Sequence, residues 1–200
     1  MSSVVISGDT SGAITLAAPT IAGTNTITLP AVTGNVVVAG QNSAITAATA
    51  QASTSGTSID FTSIPSWVKR VTVMFANFST NGTSDYLIRL GTSGGIVSTG
   101  YANEYGYYSG GGTGAVANQT TGVGMSGGNA SDSIQGTVVF TLLNSSTNLW
   151  VASGSLGETL GAMKVTGGSV TLSGVLTQLR ITTVNGTDTF DAGSINILYE

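Results

Sequence analysis

Between residue 59 and the C terminus, hydrophobic and polar residues alternate in short segments. In one such segment Val71, Val73 and Phe75 fall on the same face, with Thr72 and Met74 between them. Alternation with a period of two is typical of β-strands that bury one face. It predicts strands at Trp67–Phe75, Tyr86–Leu90, Ile134–Leu143, Leu149–Ala152, Met163–Val165, Val170–Leu172, Leu176–Val184 and Ser194–Tyr199.

Turn signals separate these segments, at Asn81-Gly82, Gly167-Gly168 and Asn185-Gly186 among others. They recur about every 8–12 residues, which is the spacing of β-sandwiches and jelly rolls. Helical spacing of hydrophobic residues is not found in any window of about eleven residues. The sequence therefore predicts an all-β, antiparallel, jelly-roll-like sandwich over residues 59–200. We expect its core to contain Trp67, Phe75, Phe140 and Ile181, with Phe190 packed over the closing turn.

The first 58 residues differ from the rest, because they contain one charged residue, Asp9, and no aromatic residue. Strands of three residues without aromatic side chains bury too little apolar surface to offset the entropy lost on ordering. We therefore expect residues 1–40 to form an extended leader that a partner orders, used in trimerisation or attachment; the alternative is a flexible tail without a role. Residues 41–58 are predicted to form a linker. The strand-like segments of the leader are Val4–Ile6, Ile14–Leu16, Ile27–Leu29 and Val36–Val38.

Charged residues make up only 7% of the chain, whereas it contains 25 Ser, 31 Thr and 29 Gly. The absence of Cys and His excludes disulfides, thiolate or imidazole zinc sites and His-dependent nucleophiles. Five basic residues and a pI near 4.4 do not suit a nucleic-acid binder. Apolar runs reach only about four residues and the N terminus lacks the features of a signal peptide, so we expect no membrane insertion.

A stretch rich in glycine and tyrosine, Gly91–Gly128, contains 13 glycines in 38 residues and is predicted to form a long loop between strands. Tyrosine combines a flat apolar face with a hydroxyl group, which suits contact with sugars or protein surfaces. The alternative is that the rings fix the loop on its own sandwich. The residues we predict as receptor contacts are Tyr101, Asn103, Tyr105, Tyr107 and Tyr108, with Glu104 beside them.

Two motifs resemble a cofactor-binding site and a catalytic or metal site, but each has a simpler structural explanation. Gly112-Thr-Gly114-Ala-Val-Ala117 matches a dinucleotide-binding fingerprint, but no helix is predicted after it. Asp188 and Asp191 are the closest acidic pair, and we expect them to cap a turn rather than to bind metal or catalyse hydrolysis. We therefore predict no catalytic residue, no metal site and no cofactor, and a chain that is not an enzyme.

The segment Ile181-Thr-Thr-Val-Asn-Gly-Thr-Asp-Thr-Phe-Asp-Ala-Gly-Ser-Ile-Asn-Ile197 resembles the end of the β-sandwich head in tail-fibre and other virion surface proteins of tailed bacteriophages. Ser58-Ile-Asp-Phe-Thr-Ser-Ile-Pro-Ser-Trp-Val-Lys-Arg-Val-Thr-Val-Met-Phe75 is similar to the opening strand of the same head. Gly12-Ala-Ile-Thr-Leu16 and Gly23-Thr-Asn-Thr-Ile-Thr-Leu-Pro30 look like leader segments of such proteins. The Gly/Tyr stretch has no counterpart in the resemblance.

The resemblance implies a non-enzymatic homotrimer on the virion surface. One expected function is a fibre or tail-tip protein whose head binds a host receptor such as a cell-surface glycan. The other is a capsid decoration or head-fibre protein that attaches to capsid subunits through residues 1–40. A capsule-degrading enzyme is a distant third. Tail or capsid proteins are thus the expected partners of the leader.

Overall fold

The computed structural model describes residues 3–7, 12–17, 45–112 and 114–200. All paired strands in this part of the chain are antiparallel, and it contains no helix, which confirms the predicted all-β class. The strands are β1 Ser3–Ser7, β2 Ala13–Ala17, β3 Thr46–Ala47, β4 Gln51–Ala52, β5 Ser58–Phe61, β6 Arg70–Thr80, β7 Tyr86–Thr92, β8 Gly95–Ile96, β9 Tyr101–Ser109, β10 Gly114–Gln119, β11 Val123–Met125, β12 Ile134–Asn144, β13 Leu149–Glu158, β14 Ala162–Thr171, β15 Gln178–Thr183 and β16 Phe190–Tyr199.

The chain divides into two compact units, residues 1–38 and 39–200. In the first unit β1 and β2 form a hairpin in which Val5 pairs with Thr15. These strands confirm two of the predicted leader strands. The predictions at Ile27–Leu29 and Val36–Val38 lie outside the described residues.

Two sheets form the second unit, which is a β-sandwich. The large sheet has the order β10-β9-β14-β13-β12-β6-β16-β3, with β4 also paired to β16. The small sheet has the order β11-β7-β15-β5, with β8 paired to β7. Alternate residues of both sheets point inward and form one continuous core, as the period-two pattern predicts.

Four of the five predicted core positions are buried: Phe75, Phe140, Ile181 and Phe190. Trp67 is a wrong prediction, because it is 43% exposed. It lies in a turn before β6, which begins only at Arg70, and its ring packs on Tyr199 at 5.9 Å between centroids. The alternation that places Val71 inward therefore does not extend back to Trp67.

Two predicted boundaries are corrected by strand pairing. Gly167-Gly168 is not a turn but the middle of β14, so two predicted strands are one. At Gly168 a Cβ atom would lie 2.5 Å from the carbonyl oxygen of Ala102 on β9, which explains the glycine. Residues 46–58, expected as a linker, contain β3, β4 and the start of β5, which pair with β16 and β15.

Gly91–Gly128 is not a long loop, because it contains β8, β9, β10 and β11. Its glycines allow close packing between strands. A Cβ atom at Gly106 would lie 2.3 Å from the carbonyl oxygen of Ala115, so glycine is needed there for β10 to pair with β9. A glycine-rich composition here indicates tight strand packing rather than loop structure.

Candidate binding surfaces

The tyrosines predicted to contact a receptor lie on β9, where their alternation decides which face each occupies. Tyr101 pairs with Val170 and Tyr105 with Thr166, and these β14 partners point into the sandwich. Tyr101, Asn103 and Tyr105 are consequently buried. This corrects the prediction for three of the five residues, since buried side chains are not available to a receptor.

The hydroxyl groups of the two buried tyrosines are used inside the protein. Tyr101 accepts a hydrogen bond from the backbone N–H of Leu90 at 2.7 Å and donates one to the carbonyl of Val97 at 3.2 Å. Tyr105 donates to Oδ2 of Asp85 at 2.5 Å. Burial raises the pKa of Tyr101 to about 12. Burial, together with the hydrogen bond to Asp85, also raises the pKa of Tyr105.

Asn103 joins strands of both sheets. Its Nδ2 donates to Oγ1 of Thr166 at 2.9 Å and to the carbonyl of Gly167 at 2.8 Å, both on β14. Its Oδ1 accepts the backbone N–H of Gly124 on β11 at 2.8 Å. Asn103 therefore holds the edge strand of the small sheet against the large sheet. The regular spacing of positions 101, 103 and 105 was the sequence signal for a strand with a buried face.

Tyr107 and Tyr108 are accessible but lie on opposite faces of β9. Tyr107 pairs with Lys164, faces the inner side and is half-buried. Tyr108 pairs with Met163, faces outward and is 62% exposed. Of the five predicted receptor residues, only Tyr107 and Tyr108 are at least partly exposed to solvent, and they do not form a single cluster.

The outer face around Tyr108 is apolar. Val116, Gly106 and Val165 form one row across β10, β9 and β14, next to the row that contains Tyr108 and Met163. The exposed fractions of the four side chains run from 37% for Val165 to 74% for Val116. We call the surface made by Tyr108, Val116, Met163 and Val165, together with the outer edge of β10, the β10 corner.

A groove of about 320 Å³ opens at the other end of the large sheet, between β3–β4 and β5. We call it the open-edge groove. Its lining mixes apolar side chains with hydroxyl and amide groups: Ala48, Thr49, Gln51, Asp60, Phe61, Thr62, Ser63, Ile64, Ile197 and Tyr199. The exposed ring of Trp67 packs on Tyr199 and extends this aromatic surface beyond the groove.

The polar groups of the open-edge groove are largely uncommitted. The side-chain hydroxyls of Thr62, Ser63 and Tyr199 make no hydrogen bond to any described residue. Ser63 also adopts a left-handed backbone conformation, with φ of 60°, which is costly for a residue other than glycine. Asp60 is paired with Arg180 through two hydrogen bonds of 2.7 Å, which raise the pKa of that guanidinium.

Sequence reasoning missed this groove for two reasons. It assigned Trp67 to the core, although Pro65 two residues earlier argues against a strand at that point. It also assigned Thr49 and Gln51 to a linker, and only the pairing of β3 and β4 with β16 brings them to the sandwich.

Buried ionisable groups gather at Lys164. Its Nζ donates to Oε1 of Glu158 at 2.9 Å and to the carbonyl oxygens of Ser126 at 2.9 Å and Gly127 at 3.0 Å. These bonds use all three donors of the ammonium group. Asp132 is buried nearby, and its Oδ1 has no hydrogen-bond partner among the described residues. The cluster is closed to solvent and its cation is fully coordinated, so it stabilises the fold rather than offering a site for a ligand.

Both remaining motifs have structural roles. Asp188 accepts hydrogen bonds from the backbone N–H of Ser84 at 3.0 Å and from Nδ2 of Asn185 at 2.6 Å. Asp191 accepts one from the hydroxyl of Ser79. Asp188 thus holds the turn between β15 and β16 against the loop after β6, whereas Asp191 joins the start of β16 to the end of β6. The glycine fingerprint begins at Gly112 in the β9–β10 connection and continues into β10, which is a strand and not a helix.

Among the described residues no three acidic side chains come together as metal ligands, and no helix is long and apolar enough to cross a membrane. Comparison with known proteins gave no match, whether to a family model, to a curated protein or to a solved structure.

Proposed function

We propose that this chain is a non-enzymatic surface protein of a tailed-bacteriophage particle, a homotrimer whose head binds a neutral glycan of the host cell. The resemblance of the head-closing segment Ile181–Ile197 to virion surface proteins supports the class. The observation that carries the receptor-binding role is the open-edge groove with the Trp67–Tyr199 pair on its rim.

The groove has the chemistry that a sugar requires. Aromatic rings pack on the apolar faces of sugar rings, while hydroxyl and amide groups bind the sugar hydroxyls. The exposed ring of Trp67 provides the first element, and the hydroxyls of Thr62, Ser63 and Tyr199, which no described residue bonds, provide the second. Proteins bind such ligands in open grooves as well as in closed pockets, because the polymer continues beyond the site.

The charge of the groove favours a neutral ligand. Among the described residues that line it, Asp60 alone is charged, and its carboxylate is already neutralised by Arg180 at 2.7 Å. An acidic polysaccharide would meet no free cation here, and a basic ligand would have to compete with the existing ion pair. A neutral glycan needs no cation in the groove and does not compete with the ion pair between Asp60 and Arg180.

Residues 1–40 are proposed as the segment that attaches the head to other virion proteins. A two-stranded hairpin is marginally stable alone in water. The β1–β2 hairpin belongs to a unit separate from the head, and Val5 on it is largely exposed. A tail or capsid subunit that covers such a hairpin would supply the missing burial.

The test is adsorption of phage that carry single changes in the head. We expect Trp67→Ala to slow adsorption at least about fivefold, because one lost aromatic contact is worth about 1 kcal/mol and a trimer loses three such contacts. The matched control is Val184→Ala, at a side chain that is 45% exposed and lies at the opposite end of β15 from the groove. Normal adsorption of the Trp67→Ala phage would refute the role of the groove.

A second variant tests the two tyrosines that remain accessible. If Tyr107→Ala/Tyr108→Ala slows adsorption while the trimer persists, the receptor site is on β9 instead. If both sets of variants adsorb normally, the chain fits the alternative function, a capsid decoration or head-fibre protein. In that case deletion of residues 1–40 should release the protein from the particle without affecting adsorption.

A further inference from the structure

The β10 strand is an exposed sheet edge that lacks the usual protection. It pairs with β9 on one side, and no described strand pairs with the other side. Five of its six residues are exposed, so both of its faces are open to solvent. Natural proteins protect such edges with charges, proline, bulges or short strands. The segment Gly114-Ala-Val-Ala-Asn-Gln119 contains no charged residue and no proline.

Other edges of the described sandwich are protected in these ways. β3 and β4, at the opposite edge of the large sheet, have two residues each. β5, at one edge of the small sheet, has four residues and includes the ion-paired Asp60. β11, at the other edge, has three residues and is buried. The contrast indicates that β10 is covered in the functional assembly.

The apolar surface next to this edge is comparable in size to the largest apolar patch on a typical monomer. From their exposed fractions, the four residues of the β10 corner together expose about 450 Å², most of it apolar. This is within the range of about 300–600 Å² found for the largest patches on monomers, which are often functional. A stable interface needs about 800 Å² from each partner, and pairing of a strand with β10 would supply the remainder.

We propose that a second copy of this chain covers the β10 corner and pairs its backbone with β10. Glu104 is the one charged side chain on the outer face of β9, and it is already bonded to Asn118 at 2.8 Å. The four side chains of the β10 corner are uncharged, so the next copy in a cyclic trimer, which presents a different surface to this corner, can cover them without burying a charge. The inference rests on the homotrimer of the proposed function, for which it names the contact surface, and it does not depend on the glycan groove.

The experiment is sedimentation velocity of the full chain with a charge introduced at the corner. Val116→Glu places a carboxylate in the proposed interface, and we expect it to yield folded monomers. Val184→Glu places the same charge on an exposed valine away from the corner and should leave the wild-type oligomer intact. Resistance to trypsin under native conditions would show that both variants are folded.

Cysteine labelling provides a second measurement, because the chain has no native cysteine. In the native oligomer, Val116→Cys should react with a maleimide about tenfold more slowly than Val184→Cys, and the two should react equally in urea. The inference is overturned if Val116→Glu leaves the oligomer intact and Val116→Cys reacts as fast as Val184→Cys. The proposal of a homotrimer would still stand after that result. A wild-type chain that sediments as a monomer would overturn both.

The same measurements separate assembly from receptor binding at Tyr108. If Tyr108 lies between copies, replacing it weakens the oligomer, and any loss of adsorption accompanies that change. A Tyr108→Ala variant that keeps the oligomer but loses adsorption would instead place the receptor at the corner and overturn the inference.

Discussion

Replacing Lys164 by methionine should destabilise the head by about 3–5 kcal/mol, the cost of leaving a buried charge without its partner. Lys164 is fully buried, and Glu158 beside it is almost so. Without the ammonium group, the Glu158 carboxylate and the carbonyls of Ser126 and Gly127 lose their donor. The Tyr86 ring, 5.9 Å from Nζ, also loses a cation–π contact.

The residues around Lys164 and Glu158 explain why small movements of the structure cannot remove the destabilisation caused by Lys164→Met. A Cβ atom at Gly128 would lie 2.2 Å from Oδ2 of Asp132 and 2.7 Å from Oε1 of Glu158, so both carboxylates crowd the same backbone. Without Lys164 two acidic groups face each other in a site with little access to water. Adding Glu158→Gln to Lys164→Met removes one of these charges, and the double variant should recover about 1–3 kcal/mol.

Urea unfolding of the full chain, followed by tryptophan fluorescence and circular dichroism, measures these differences. Lys69→Met is the matched control, because Lys69 is the only other lysine and is exposed. Its effect should be within about 0.5 kcal/mol of zero. The reasoning is refuted if Lys164→Met costs no more than Lys69→Met, or if Glu158→Gln worsens the stability of Lys164→Met.

Two further predictions concern the core. Phe140→Ala should lower the free energy of unfolding by about 3–5 kcal/mol, because the ring is fully buried; an unchanged melting temperature would contradict its packing. Burial raises the pKa of Tyr86 and Tyr101 from 10.0 to about 12. Because the folded state keeps protons that the unfolded state releases, the contribution of these two tyrosines to stability should be constant below about pH 10 and fall between about pH 10 and 12. The urea concentration at the unfolding midpoint, measured across this pH range, tests the predicted loss of stability. Tyr101→Phe should make that loss smaller. A midpoint that does not change up to pH 12 would contradict the prediction.

Strand alternation was readable from the sequence because it depends only on neighbouring positions. Phe75, Phe140 and Ile181 were placed correctly in the core on that basis. The glycines of β14 were misread as a turn, because their role depends on β9, which lies 2.5 Å from the missing Cβ of Gly168 and is remote in sequence. Composition alone cannot distinguish a glycine that forms a turn from a glycine whose missing side chain allows a neighbouring strand to pack closely.

Candidate sites were less predictable than the fold for the same reason. Tyr101 and Tyr105 have the composition of a binding surface, but the partners that bury them come from β7, β14 and the residues that precede β7 and follow β8. The open-edge groove depends on Gln51 reaching β5, where its Nε2 donates to the carbonyl of Asp60 at 2.8 Å. Such long-range contacts leave no local signal in the chain.

Electron microscopy of intact phage particles, with the head labelled through a single introduced cysteine at position 184, tests the central claim most directly. Because the chain has no native cysteine, position 184 is its only labelling site, and particles that carry the unchanged chain are labelled in parallel to show any reaction of other virion proteins. We predict labelled projections in sets of three on the particle surface, located at the tail if the protein binds the host receptor and on the capsid if it is a decoration protein. Particles that carry no label although the infected cell produces the chain would contradict the proposal that it is a virion surface protein.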